Sequence, residues 1–302
     1  MKQHAIPVPI QMPVTAPVVT LVIGSGSVKC AAAIGVVKAL TDAGIGIDRV
    51  VGCSAGALFA SCVALGFDTA TSRDLTVRTW TREITSQRNV KGLLRLVAPR
   101  LFGFRADNFG LRGDGLLRQR LRDVFGDRCI EDTAIPLHIT ATDFANGELV
   151  EIVRGPLVDA IRASLSLPLA FEPVRLGERL LVDGYLSDPL PVSVAMKHGA
   201  RVIVAVGFEN PYQERISSAG RFAFQLSAIL ANNLLRSRLA FHSAAHHSEL
   251  IMILPEFKRR VRLFDTAMVP YIIEEGEQAT LQQLPYLHSL LNADRDRLAQ
   301  AA

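Results

Sequence analysis

From Pro17 onward, short β-branched runs alternate with amphipathic stretches of helical period. That alternation restricts the chain to βαβ units around a mostly parallel sheet. Val18 to Ile23, Arg49 to Val51, Leu180 to Val182, Arg201 to Val206 and Leu250 to Leu254 read as strands. Pro136 to Thr142 and Glu148 to Val153 flank Asn146-Gly147 and read as a hairpin. Helices are predicted over Ala31 to Ala43, Ser54 to Leu65, Pro191 to His198, about Gly220 to His246 and about Val269 to Leu291, with Gly44, Gly66 and Gly199 marking ends. With no internal repeat, the expectation is one α/β domain over residues 17–293, between a loose tail at 1–16 and a short one at 294–302.

The apolar 49% of the chain is carried by Ala, Val, Leu and Ile, with aromatics at only 6%, which suits strands buried on both faces. Basic and acidic residues number 33 and 29, too balanced for an obligate nucleic-acid binder despite a pI near 9.0. Cys30, Cys53, Cys62 and Cys129 form no CxxC pair and have no histidines at metal spacing, so neither a disulfide scaffold nor a metal site is expected. A reducing compartment, the cytoplasm, fits that usage. Ala5 to Val28 carries no charge, but Pro7, Pro9, Pro13 and Pro17 break any helix there, and the stretch reads as a tail and not as a leader.

Between Thr79 and Cys129 the strand signals stop, and a helical insertion or cap is expected. Its stretch from Arg88 to Arg105 alternates basic and apolar residues. Two readings stand: a surface that meets anionic lipid headgroups, or a solvated cap whose leucines pack on the body. Oligomeric state is not legible in the sequence.

Three loops could carry chemistry. Gly52-Cys53-Ser54-Ala55-Gly56 is a G-x-S-x-G pentapeptide between a strand and a helix, the pattern of a sharp turn that lifts a serine hydroxyl above a sheet. A helix N-terminus beside Ser54 favours developing negative charge; the alternative is a serine that only caps the helix. Gly24-Ser25-Gly26-Ser27-Val28-Lys29 directs backbone N–H groups toward one point and can hold an oxyanion or a phosphate, or be no more than a tight turn. It matches neither the Walker A nor the dinucleotide-binding spacing, so no nucleotide cofactor is expected. Asp183-Gly184 ends the Leu180 to Val182 strand, and open α/β sheets gather ligands at the carboxyl ends of their strands. There a carboxylate can accept the proton of a serine as it attacks.

Together these motifs resemble the patatin-like phospholipases. The resemblance rests on Leu21 to Lys29 followed by Ala31 to Leu40, on Gly52 to Gly56, on Ala160 to Ser164 with Leu167-Pro168 and Phe171 to Val174, and on Val182-Asp183-Gly184 with Leu190-Pro191-Val192. Their order matches over residues 17 to 292. The resemblance implies a three-layer α/β/α sandwich and a Ser-Asp dyad, with Ser54 as nucleophile and Asp183 as base, hydrolysing acyl esters of lipids without metal or organic cofactor. Oxyanion-hole amides would come from the loop of Gly24, Ser25, Gly26 and Ser27, with Lys29 at the family's Arg or Lys position. Phospholipids or other acyl esters are the implied substrates, and the helix after Ser54 together with Arg88 to Phe109 would form the acyl channel.

The chain departs from the family pattern Gly-Gly-Gly-x-Arg/Lys-Gly, which here is Ser25-Gly26-Ser27-Val28-Lys29-Cys30. A serine at positive φ would be strained. Tyr185 stands where a small residue usually follows Asp-Gly, and can narrow the pocket or simply pack. Competing readings are a catalytically weak or silent lipid-binding protein of the same fold, and a Ser-Asp-His triad using His198, His242, His246 or His247.

Overall fold

The computed structural model describes residues 19–209, 212, 215–245 and 249–301. The predicted tail at 1–16, His246 and His247 lie outside them. Strands β1 (Val19–Ile23), β2 (Arg49–Cys53), β3 (Leu137–Asp143), β4 (Leu149–Ile152), β5 (Val174–Leu176), β6 (Arg179–Asp183), β7 (Val202–Val206) and β8 (Glu249–Ile253) form one sheet. Its order is β5-β6-β3-β2-β1-β7-β8, with β4 also paired to β3. The run β3-β2-β1-β7-β8 is parallel. Its central strands β1 and β7 are wholly buried Val- and Ile-rich segments, as a sheet covered on both faces requires.

Helices cover both faces. They are α1 (Ala32–Asp42), α2 (Ala55–Ala64), α3 (Thr69–Thr79), α4 (Val90–Val97), α5 (Pro99–Phe102), α6 (Gly115–Phe125), α7 (Leu157–Leu165), α8 (Val192–Lys197), α9 (Ala219–Ala245), α10 (Val269–Leu281) and α11 (Leu284–Ala301). One core packs Leu21, Ile23 and Val50 of the sheet against α1, α2, α6, α7 and α10. The other packs Val22, Val51, Ile203 and Ala205 against α8 and α9. Alternate residues of β1 and β2 thus feed opposite cores, which makes the fold a three-layer α/β/α sandwich.

Three expectations change. The single C-terminal helix over Val269 to Leu291 is two, broken at Gln282 and Gln283. Pro285 explains the break: it has no N–H to donate, its ring would clash with the carbonyl one turn back, and it is tolerated in the first turn of α11. The second of these helices continues through residues 294–301, set apart as a tail in the sequence reading. The segment 79–129 is built from helices, and its ends belong to the body. Trp80, Ile84, Leu117, Leu121 and Phe125 are buried in the larger core, so only its middle stands off.

The third change concerns β6. The sequence reading put Asp183 at the carboxyl end of a strand in a parallel sheet, but β6 runs antiparallel to β3. Ile139 pairs Gly52 of β2 on one edge of β3 and Ile152 of β4 on the other. Thr142 pairs Val182 of β6 and Leu149 of β4. Since β4 holds one edge in both pairings, β2 and β6 share the opposite edge and meet end to end. Cys53 pairs Thr140, and Asp183 pairs the next residue, Ala141. Two chain segments far apart in sequence thus stop at adjacent rungs of one ladder.

Candidate functional site

The turn from β2 into α2 places Ser54 at φ 56° and ψ −127°, a backbone region that a residue with a side chain occupies only under constraint. Glycines make the turn sterically accessible. A Cβ at Gly56 would lie 2.3 Å from the Ile23 carbonyl oxygen, and one at Gly52 would lie 2.6 Å from Ala57 Cα. The Ser54 N–H donates to Ser164 Oγ at 2.7 Å, and the Ser164 hydroxyl donates in turn to the Thr140 carbonyl at 2.7 Å. Ser164, fully buried on α7, therefore ties the turn to β3. It escaped the set of site residues although it lies in the stretch Ala160 to Ser164 that carried the family resemblance; a small hydroxyl residue in an apolar helix was the available signal.

Ser54 Oγ donates to Asp183 Oδ2 at 2.8 Å. The other carboxylate oxygen accepts the Tyr185 N–H at 3.1 Å, and Thr142 Oγ1 donates to the Asp183 carbonyl at 2.9 Å. Asp183 is 2% exposed, and this burial raises its pKa to about 7, with the Tyr185 amide and Ser54 hydroxyl opposing the rise. At Gly184 a Cβ would lie 2.5 Å from the Thr140 carbonyl oxygen, so the backbone there passes against β3. Tyr185 packs with Cys53 and Ala231 and lines the cavity above the dyad. Cys53 is fully buried, which pushes its thiol well above its usual range, and it donates to the Asp188 carbonyl. It is a packing residue.

The glycine-rich loop is divided in use. The N–H groups of Gly24 and Ser25 are committed to the carbonyls of Val206 and Pro189. Among the described residues, those of Gly26 and Ser27 have no acceptor, and both residues line the cavity with Ser54. Ser27 does sit at positive φ, 57°. Its hydroxyl donates to the Leu263 carbonyl, and Trp80 Nε1 donates to the same carbonyl at 2.8 Å and to Ser27 Oγ at 3.3 Å. These bonds hold a conformation that glycine would adopt freely. Lys29 departs from expectation: its ammonium donates to the Glu209 carbonyl at 3.2 Å and lines a neighbouring cavity, not the one that contains Ser54.

Above Ser54 lies a largely apolar cavity of about 830 Å³, walled by Trp80, Leu96, Leu167, Phe171, Phe224 and Phe264 among others. The expected walls were α2 and Arg88 to Phe109. Helix α2 contributes only Ala55, because the rest of it is buried in the core, whereas Arg88, Asn89, Leu93 and Leu96 do reach the cavity.

His198 does not join this site. Its Nε2 and the Nδ1 of His138 both bond Glu151 Oε1, and by register with Val51 the His138 side chain lies on the α8 face of the sheet. Those three residues bring ligand-type atoms within 4.8 Å of one another, a separation that suits a divalent cation. The Lys197 ammonium, 2.8 Å from the same carboxylate, opposes a second positive charge there. Nothing is described of the His242 side chain.

The family model described as patatin-like phospholipase matches residues 21–196 of the chain. The chain belongs to the patatin-like phospholipase family. Similar proteins include an uncharacterized NTE family protein of Mycobacterium tuberculosis, 34% identical over 196 residues, covering 65% of this chain and 50% of that protein. Patatin-like phospholipase domain-containing protein 7 of Rattus norvegicus is 29% identical over 191 residues, covering 62% of this chain and 13% of that protein. The chain thus spans half or less of the length of these relatives. Among solved structures, VipD of Legionella pneumophila aligns over 90% of this chain and 67% of its own, at 14% identity and a TM-score of 0.46.

Proposed function

We propose that the chain is a lipid acyl hydrolase that cleaves carboxylic esters through Ser54 and Asp183. The observation that carries this reading is the 2.8 Å hydrogen bond from Ser54 Oγ to a buried carboxylate at the base of an apolar cavity. Ser54 Oγ attacks the ester carbonyl carbon as its proton passes to Asp183 Oδ2. The gap between the acidity of a serine hydroxyl and a carboxylic acid requires that transfer to accompany carbon–oxygen bond formation. The unspent N–H groups of Gly26 and Ser27 receive the oxyanion. Collapse of the tetrahedral species expels the alcohol, which recovers the proton from Asp183. Water, deprotonated by the same carboxylate, then releases the fatty acid from Ser54.

The middle of the insertion supplies the approach to lipid. Leu93 and Leu96 line the cavity yet are each 50% exposed, and Val97, Leu101, Phe102 and Phe104 are exposed beside them. These side chains are therefore not packed on the body. Residues 88–105 include Arg88, Lys91, Arg95, Arg100 and Arg105 and no acid, a composition complementary to an anionic bilayer. No helix among the described residues is long and apolar enough to cross a membrane.

A fluorophosphonate is expected to modify Ser54, as read by peptide mass, and an unmodified Ser54 under conditions that label another serine hydrolase would favour the silent lipid-binding reading. Sedimentation with anionic vesicles is expected to be lost when Leu101 and Phe102 are replaced by Ser, and to weaken at high salt. Equal recovery with neutral vesicles would remove the electrostatic part of this reading.

A further inference from the structure

A second cavity of about 860 Å³ adjoins the first, and its chemistry is opposite. Lys29, Arg82, Arg221, Arg260 and Arg262 line it. The acid described on its wall, Glu209, is paired with Arg236 Nη2 at 2.8 Å, and its backbone carbonyl accepts the Lys29 ammonium. Among the described residues no carboxylate pairs with Arg82 or Arg262. Gly26, Ser27, Phe224, Leu263 and Phe264 belong to both cavities. The loop that presents its free amides beside Ser54 is thus the partition between an apolar chamber and a basic one, and Lys29 extends from that loop into the basic side. An ester carbonyl at Ser54 would have its acyl chain in the first chamber and its alcohol portion directed to the second.

We propose that the basic chamber binds a phosphate monoester on the alcohol portion of the substrate. The chain would then prefer acyl esters with a dianionic terminal phosphate over esters whose phosphate carries a choline. Arginine guanidinium groups match phosphate oxygens in pairs, and a dianion gains from several such cations where a quaternary ammonium is repelled. The proposal deepens the reading of Ser54 as the acyl acceptor and rests on it for the orientation of the substrate. It assigns Arg82 and Arg262, which that reading leaves without a role, to substrate selection.

Binding separates the two ideas. With full-length Ser54→Ala protein, calorimetry at physiological salt would compare octanoyl-glycerol 3-phosphate, octanoyl-glycerophosphocholine and glycerol 3-phosphate, all as monomers in solution. The expected result is at least tenfold tighter binding of the phosphate monoester lipid than of the choline ester, with glycerol 3-phosphate weaker than the lipid. The preference should fall toward unity in Arg82→Gln/Arg262→Gln, whose fold is checked by circular dichroism. Equal affinity for the two lipids, or a preference that survives the double substitution, overturns the proposal. Glycerol 3-phosphate binding as tightly as its acyl ester would assign the chamber to a free phosphate ester and overturn its role in the substrate. Loss of hydrolysis in the parent with this preference intact would instead count against Ser54 as nucleophile alone.

Discussion

Asp183→Asn is expected to lower kcat/KM for an acyl ester by about a thousandfold, the scale on which a positioned general base acts. The amide keeps one oxygen to accept the Tyr185 N–H and turns its NH2 toward Ser54 Oγ, which then accepts, so the position stays filled while its capacity to take the proton is lost. The loss should fall on kcat, with KM little changed, because proton transfer occurs only in the transition state. Ser54→Ala should lower the rate at least as far. The double variant should be no slower than the worse single one, since both side chains serve one step. Steady-state kinetics on a soluble short-chain ester checks all three. A rate for Asp183→Asn within tenfold of the parent would take this carboxylate out of the reaction.

The second large effect is on pH. Burial raises the Asp183 pKa to about 7, and the base must be ionised to receive a proton. Below that value kcat/KM should fall tenfold for each pH unit, and above it level off. Stability runs the other way. The unfolded chain releases this proton near the ordinary carboxylate value of about 3.9, whereas the folded chain keeps it to about 7. Between those values the native state binds more protons, so stability falls as pH rises through this window. Asp188, also buried and raised to about 6, adds to the decline without touching Ser54; its oxygens accept from the Leu190 N–H and the Ser193 hydroxyl. Asp183→Asn should therefore melt higher than the parent at pH 8, by roughly 2–6 °C for a domain of this size, while being the poorer catalyst. Equal melting temperatures at pH 8 would mean that the charged carboxylate carries no burial penalty.

How much of this was legible in the sequence depends on the range of the interaction concerned. The turn around Ser54 was readable because Gly52 and Gly56 are demanded by contacts within a few residues and by the neighbouring strand. The hairpin Pro136 to Val153 declared itself through Asn146-Gly147, and its strands pair antiparallel as expected. Asp183 was found through its glycine, yet the direction of its strand was misread. Strand direction depends on which edge of β3 remains open, a fact held by Gly52, Ile152 and Val182 jointly and by none of them locally. Ser164 was passed over because its value lies in the Ser54 N–H and the Thr140 carbonyl that it joins, each distant in the chain. Lys29 was placed with the oxyanion loop by its position in the family motif, whereas burial and Phe257, 5.7 Å beneath its ammonium, turn it to the far side. Exposure of Leu93 and Leu96 could not be inferred either, since an amphipathic period specifies an apolar face and not what covers it.

The end-to-end meeting of β2 and β6 also bears on how such a molecule tolerates change. The polypeptide between Ser54 and Asp183 can lengthen or shorten without altering the gap between them, because β3 acts as a ruler graduated in whole residues. The same ruler forbids small errors. Side chains alternate along a strand, so a slip of one position would carry the carboxylate to the reverse of the sheet. Natural variation can therefore reshape what surrounds the ester freely, but the partnership at its centre can only be kept whole or lost outright.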